Sequence, residues 1–356
     1  MSPHLSESAD FLELKEVSAK LGADPDQVQA GGGNTSLKIG DRLIIKASGK
    51  PLRKALEEDI FVTVSTADIC AQLEAPDVSS VDLQVAALDL DGSPTSQRPS
   101  IETAFHAVLP APVVLHTHST SVLAYAVLQN GSALLKTKLA DLPWTWIPYA
   151  KPGPRLAQII DKRIRNGNFR VFILANHGVI VTGNTVADAV SLLGELERRL
   201  LPLAFRTTQA ANVDALWRVA EKLRNLYRPA VDPTWHNLGM DPRLFEMVVH
   251  GSLYPDHVVF LGPAISFIRK EDEPFAPINC SPLASGKEPP ILLVRGAGCL
   301  VNFNLASSPT ALMECLARVA HKVQAGQVIS YLSTSDEAEL ISWEAEEYRQ
   351  KMAGVK

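Results

Sequence analysis

The run Val113-Val114-Leu115-His116-Thr117-His118-Ser119 constrains this chain more than any other stretch. Its branched apolar residues have strand character, which commits the chain to a sheet. Side chains at i and i+2 of a strand point to the same face, so His116 and His118 lie side by side and both imidazoles are available to one ion. Two histidines alone are a weak pattern, because a surface or hydrogen-bonded pair explains them better until a third ligand is found.

The surrounding sequence alternates helical and extended patterns. Phe11, Leu14, Val17, Ser18 and Leu21 fall at helical spacing before Gly22. Gly31-Gly32-Gly33-Asn34-Thr35-Ser36 leads into a hairpin, Leu37 to Ile39 and Leu43 to Lys46 about a Gly40-Asp41 turn, which ends at Ala47-Ser48-Gly49-Lys50. Ile60 to Val64 reads as a strand and 89–99 as a loop. Ser100 is placed to cap a helix from Ile101 to Leu109, stopped by Pro110, with Glu102 in its first turn where the helix dipole favours a carboxylate. After the histidine strand come a helix to Leu128, stopped by Asn130-Gly131, a strand at Trp144 to Tyr149 and a helix near 156–164. Strands at Val171 to Leu174 and Val179 to Val181 flank Ala175-Asn176-His177-Gly178, and helices are expected near 185–205 and 211–227.

Pro229, Asp232 and Pro233 mark a boundary, which divides the chain into residues 1–230 and an extension over 231–356. In the extension, His257 to Leu261 and Ile291 to Val294 read as strands around a proline-rich loop near 274–290, followed by helices near 308–324 and 335–352. The expected fold class is α/β, with a central, mostly antiparallel sheet flanked by helices and a smaller C-terminal α/β region.

Composition excludes several classes of function. With 46% hydrophobic and 21% charged residues and a net charge of -5, the 356-residue chain has the balance of a soluble protein and no general attraction for nucleic acid or anionic lipid. Cys70, Cys280, Cys299 and Cys315 are widely spaced and read as reduced thiols. With neither a leader-like N-terminus nor a membrane-length apolar run, a cytoplasmic protein acting on small molecules is the expectation.

His177 can supply the missing ligand, since Gly178 beside it lets the backbone turn tightly; by spacing alone, a core histidine fits as well. His106, one helical turn after Glu102, reads as structural. Gly31-Gly32-Gly33 is neither the spaced dinucleotide fingerprint nor a P-loop, yet consecutive glycines expose N–H groups that cradle anions; a plain flexible loop competes with that reading. Asp256 and His257, on opposite faces of a strand, do not suggest a second metal site, and Trp144 and Trp146 read as packing.

Six blocks, in order, carry a resemblance: Gly31-Gly32-Gly33-Asn34-Thr35-Ser36, Lys46-Ala47-Ser48-Gly49, Pro99-Ser100-Ile101-Glu102, His116-Thr117-His118, Tyr149-Ala150-Lys151-Pro152-Gly153 and Asn176-His177-Gly178. Over roughly residues 8–227 the chain resembles the class II aldolase/adducin family, in its fuculose-phosphate and rhamnulose-phosphate aldolase branch. The resemblance implies that His116, His118 and His177 bind zinc or another divalent metal and that Glu102 is the general base or acid. It implies further that Asn34, Ser48, Gly49 and Ser100 hold a substrate phosphate, and that Tyr149 donates a proton from a neighbouring subunit of a homo-oligomer, usually a tetramer. The implied activity is that of an aldehyde-lyase acting on a sugar phosphate or sugar acid. Relatives also include epimerases, decarboxylases and a dehydratase, while an adducin-like binding module would be expected to lack the histidines or the glutamate.

One departure weakens the phosphate assignment: many members carry two serines before the glutamate, and here the second is Ile101. Rhamnulose-phosphate aldolases fused to a dehydrogenase have a similar Pro-Ser-Ile block. Their sequences before the dehydrogenase also look similar to Tyr254-Pro255-Asp256-His257-Val258 and to Ile341 through Tyr348, although an unrelated α/β extension accounts for 231–356 equally well.

Overall fold

A computed structural model describes residues 8–74, 85–201, 210–269, 288–343, 347–348 and 350–351. The chain divides into two units, Met1–Val122 with Ser132–Leu201, and Leu123–Gly131 with Pro202–Lys356. The first is organised by a seven-stranded sheet: β1 (Asn34–Ile39), β2 (Arg42–Lys46), β3 (Phe61–Ser65), β4 (Val113–Thr117), β5 (Trp144–Ile147), β6 (Val171–Leu174) and β7 (Gly178–Gly183), in the order β3-β2-β1-β4-β7-β6-β5. Every neighbouring pair is antiparallel except β5 and β6 at one edge. The histidine strand β4 is central and buried along its whole length, as its unbroken apolar run requires.

Helices through this part of the chain are α1 (Ala9–Ala23), α2 (Thr66–Leu73), α3 (Thr103–Val108), α4 (Thr120–Ala126), α5 (Gly131–Lys138), α6 (Pro154–Ile164) and α7 (Val186–Leu200). Several start where a hydroxyl side chain can take up an unpaired amide: Ser8 accepts from Phe11, Ser65 from Asp68 and Thr185 from Asp188. One face of the sheet buries Val62, Val114, Phe172 and Ile180 against Phe105 of α3 and Leu156 and Ile160 of α6. Burying a side chain of this size stabilises the fold by about 1.5–3 kcal/mol. That packing seats α3 firmly beneath the strands that carry the histidines.

The second unit has its own four-stranded sheet, β8 (Tyr227–Pro229), β9 (Ser266–Ile268), β10 (Ile291–Val294) and β11 (Gly298–Asn302), ordered β8-β11-β10-β9, with only the β9–β10 pair parallel. Its helices are α8 (Val213–Lys222), α9 (Pro233–Met240), α10 (Pro242–Val249), α11 (Pro255–Leu261), α12 (Ser307–Lys322) and α13 (Thr334–Ile341). Leu216, Val219 and Ala220 of α8 pack on Leu292, Val294 and Leu300 of this sheet.

The α/β class and the mostly antiparallel sheet agree with the sequence reading, but several elements differ from it. His257 to Leu261 is helical, not extended: Pro255 occupies the first helical turn, and all seven residues of α11 are buried. A short run buried on every side has no polar face, so periodicity cannot separate helix from strand there. Gly131, expected to stop a helix, instead opens α5, while α4 ends at Ala126. The short helices α2, α9 and α10 were not anticipated. Cys280, most of the proline-rich stretch, residues 202–205 of an expected helix and parts of the C-terminal helix lie outside the described residues.

Candidate active site

Three neighbouring strands bring the site together. Asn34 of β1 lies opposite His116 of β4, and His116 lies opposite Ile180 of β7. His118 follows β4 on the same face as His116, their ring centroids 5.0 Å apart. His177 arrives from the turn between β6 and β7. Asn176 there adopts a left-handed φ of 52°, a conformation asparagine tolerates better than most residues. A Cβ on Gly178 would stand 2.4 Å from the Thr117 carbonyl oxygen, so glycine is what lets the start of β7 close against the end of β4. The His177 ring consequently sits 5.0 Å from that of His116 and 5.4 Å from that of His118.

Glu102 enters from the opposite side, immediately before α3 rather than within its first turn. Ser100 Oγ accepts from the Glu102 amide at 3.3 Å, and the Ser100 carbonyl accepts from Thr103, so Ser100 secures the turn into the helix. Asn34 Nδ2 donates to Glu102 Oε2 at 2.7 Å and lies 3.1 Å from Ser100 Oγ. Glu102 Oε1 stands 3.0 Å from His177 Nε2, and Oε2 stands 3.3 Å from His116 Nε2. Glutamate, asparagine and the three histidines are all buried.

The Ser48 loop is drawn to the same end of the sheet. Ser48 N–H donates to the Arg98 carbonyl at 2.8 Å, Ser100 N–H to the Lys46 carbonyl at 3.1 Å, and Ala47 bridges Pro99. Gly49 takes a φ of 74°, which suits glycine. Lys46, 2% exposed, donates from Nζ to the carbonyls of Gly31 and Lys50, both at 2.8 Å, and so ties the glycine-rich segment to this loop. Asn34, Ser48, Gly49 and Ser100 are thus gathered around paired loops. Tyr149 is placed apart, half-buried just beyond β5, with β6 and β7 between that strand and β4.

Burial opposes charge throughout this cluster. It pushes His116 down to about 3 despite the attraction of Glu102, so this ring is neutral at ordinary pH. Burial also disfavours a charged Glu102, while positive charge among the adjoining imidazoles acts the other way and draws the carboxyl well below the usual glutamate range. His116 Nδ1 faces the Val179 carbonyl oxygen at 2.9 Å, an atom that only accepts, so the ring proton is on Nδ1 and a lone pair is left on Nε2. That lone pair points at a carboxylate oxygen. Two acceptors facing each other in a buried site require a cation or a proton between them.

The donors fit a divalent metal. His116, His118 and His177 each offer a ring nitrogen, all within 4.8 Å of one another. A main-chain carbonyl that orients a ligating imidazole, as Val179 does for His116, is the usual support of such sites. Three imidazoles with room for a further ligand is an arrangement used by catalytic zinc. Sequence reasoning overlooked Ser36, which binds His106, and the tethering role of Lys46. Alternation along β1 was the available signal, because it places Ser36 on the same face as Asn34.

Residues 13–200 match the class II aldolase and adducin N-terminal domain. Among curated relatives, an uncharacterized oxidoreductase of Bacillus subtilis, YuxG, is 27% identical over 203 residues, covering 52% of this chain but only 29% of that protein. The 3-oxo-tetronate 4-phosphate decarboxylase of Haemophilus influenzae is 28% identical over 208 residues, or 52% of this chain and 84% of that enzyme. L-fuculose phosphate aldolase of Methanocaldococcus jannaschii is 26% identical over 198 residues, covering 53% and 93%. A solved N-terminal class II aldolase domain from Thermoplasma acidophilum aligns with 55% of this chain and 92% of its own at 25% identity, with a TM-score of 0.46. With its matched domain spanning more than half its length, the chain belongs to the class II aldolase and adducin family.

Proposed function

We propose that this chain is a zinc-dependent, cytoplasmic lyase of the aldolase type, which breaks or forms the carbon–carbon bond next to the carbonyl of a sugar phosphate or related hydroxyketone. The observation that carries this reading is the placement of Glu102 within 3.3 Å of the imidazoles of His116 and His177, in a cluster that can hold a cation. A divalent ion held by His116, His118 and His177 would, when bound, supply Lewis acidity to the substrate oxygens. Glu102 removes or returns the proton on the carbon beside the carbonyl, one carboxylate oxygen being steadied by the Asn34 amide. Asn34, Ser48, Gly49 and Ser100 grip the anionic end of the substrate, with the Ile101 N–H standing in for a second hydroxyl. Tyr149, contributed by a second copy in a homo-oligomer, protonates the aldehyde oxygen as the carbon–carbon bond forms, and takes up the hydroxyl proton as the bond breaks. The histidines, Glu102, the anion-binding group and Tyr149 all fall within the matched residues, inside the 1–230 portion to which we assign the catalysis.

A second reading draws on the match to the Haemophilus decarboxylase, which covers 84% of that enzyme. Loss of carbon dioxide from a 3-oxo acid also leaves an enediolate, which Glu102 would protonate. Incubating zinc-loaded protein with a panel of sugar phosphates and oxidised sugar-acid phosphates separates the two. An aldehyde together with a hydroxyketone phosphate supports the aldolase, whereas release of carbon dioxide supports the decarboxylase. Retention of the whole carbon skeleton in every substrate sinks both and leaves the epimerase and dehydratase readings. A purified protein without a stoichiometric divalent ion, unaffected by His116→Ala, points to a binding module.

A further inference from the structure

Behind Glu102 runs a buried chain of hydrogen bonds whose direction is set at its anionic end. A carboxylate only accepts, so the Asn34 group 2.7 Å from Glu102 Oε2 is the N–H side of its amide, and Asn34 Oδ1 faces away. Oδ1 meets His106 Nε2, which must therefore carry the ring proton. His106 Nδ1 is left as an acceptor and takes the hydroxyl proton of Ser36 at 2.7 Å. The His106 ring is fully buried, stacked on Phe105 at 4.7 Å between centroids. Asn34, Ser36 and Lys38 share one face of β1, and Lys38 extends the pattern by donating to the Leu109 carbonyl. The short helix α3 is thereby fastened to β1 before its start, at its middle and just past its end.

We propose that His106 is a positioning residue: its Nε2–H holds Asn34 Oδ1, and with it the amide N–H that Glu102 meets, while the Ser36 hydroxyl satisfies the other ring nitrogen. An asparagine amide is nearly symmetric in shape, so packing alone does not choose its orientation. Without the Nε2–H of His106, Oδ1 loses its donor. The amide is then held at its N–H side alone, and its added freedom of motion loosens the hold on Glu102 beside the histidines. The consequence for catalysis rests on Glu102 being the proton carrier proposed above; the hydrogen-bond chain does not.

The test uses the zinc-loaded protein labelled with ¹⁵N at histidine and asparagine side chains. The ring signals lost in His106→Gln identify His106, and the expected pattern is a neutral ring protonated at Nε2; an Nδ1–H tautomer or an imidazolium at neutral pH overturns the chain. Glutamine can place an N–H near the former Nε2, so the Asn34 amide resonance should keep its shift in His106→Gln and move in His106→Leu. An unmoved Asn34 amide in His106→Leu overturns the proposal whatever the activity. Where that variant does not fold, Ser36→Ala is read in the same way. Exchange of the α proton of dihydroxyacetone phosphate in D₂O gives the catalytic readout. The expected result is a rate within about threefold of the parent for His106→Gln, and about 10- to 100-fold slower for His106→Leu with KM little changed. Equal rates for all variants overturn the positioning role. A parent protein that exchanges no proton counts against the proposed function, and the resonances still decide the role of His106.

Discussion

His116 in the first unit and His236 in the second are both buried and both hydrogen-bonded to main chain, yet the bonds use the rings differently. His236 donates from Nε2 to the Ala230 carbonyl at 2.9 Å and accepts the Cys299 amide at Nδ1 at 3.1 Å, which occupies both nitrogens. His257 accepts the Leu253 amide at Nδ1, so its proton is on Nε2 and no lone pair remains for a metal. His116 gives its proton to a carbonyl and turns its lone pair towards Glu102. Burial lowers the proton affinity of all three. What separates a candidate ligand from a core histidine here is the direction of the main-chain hydrogen bond, not depth.

The sharpest way to break this comparison is at Glu102. Glu102→Gln keeps the shape and removes the base, so the rate of α-proton exchange should fall by about 10²- to 10⁴-fold while circular dichroism stays that of the parent. A variant with parental rate would remove Glu102 from the chemistry. Next in size is metal content: the parent should bind about one divalent ion per chain and His116→Ala far less than one, whereas His257→Gln should keep the parental stoichiometry. Elemental analysis decides, and loss of the ion in His257→Gln would erase the distinction between the two regions.

Acid should expose the cost of burying His257. An unfolded chain takes up this proton near pH 6.5, but the folded protein only near pH 3. The unfolded state therefore binds more protons as pH drops through that window, and stability falls from about pH 6.5 towards 3. Between pH 6 and pH 4 this histidine should account for about 2.5 kcal/mol of the loss. Urea unfolding of His257→Gln should show a correspondingly shallower decline, and a decline as steep as the parent's would refute the assignment. The smallest effect belongs to His236→Ala, which strands the Cys299 amide and the Ala230 carbonyl; a loss of about 2 kcal/mol is expected, with metal content unchanged.

Much of the first unit was legible because its signals are local. The His116-Thr117-His118 alternation, the Asn176-His177-Gly178 turn and the Gly40-Asp41 hairpin each declare their geometry within a few residues. The α11 segment was misread because Pro255-Asp256-His257-Val258-Val259-Phe260-Leu261 is buried on all sides and lacks a polar face. The link from Ser36 through His106 to Asn34 was hidden for a different reason. It joins residues far apart in sequence, and its meaning lies in which atom holds a proton. His106 was read as structural, and its partners depend on how α3 sits against β1.

The pairing of Asn34 with His116 has a kinetic consequence. It is the longest-range strand pairing in its sheet, joining the N-terminal hairpin to a strand that lies beyond α2, α3 and the intervening loops. The entropy of closing that loop must be met before the contact returns any stabilisation. Asn34 cannot meet Glu102 until it has closed, whereas His116 and His177 need only the β4–β7 pairing. The complete cluster therefore waits on this closure, and a substitution that slows it would lower the yield of competent protein without touching a residue of the site.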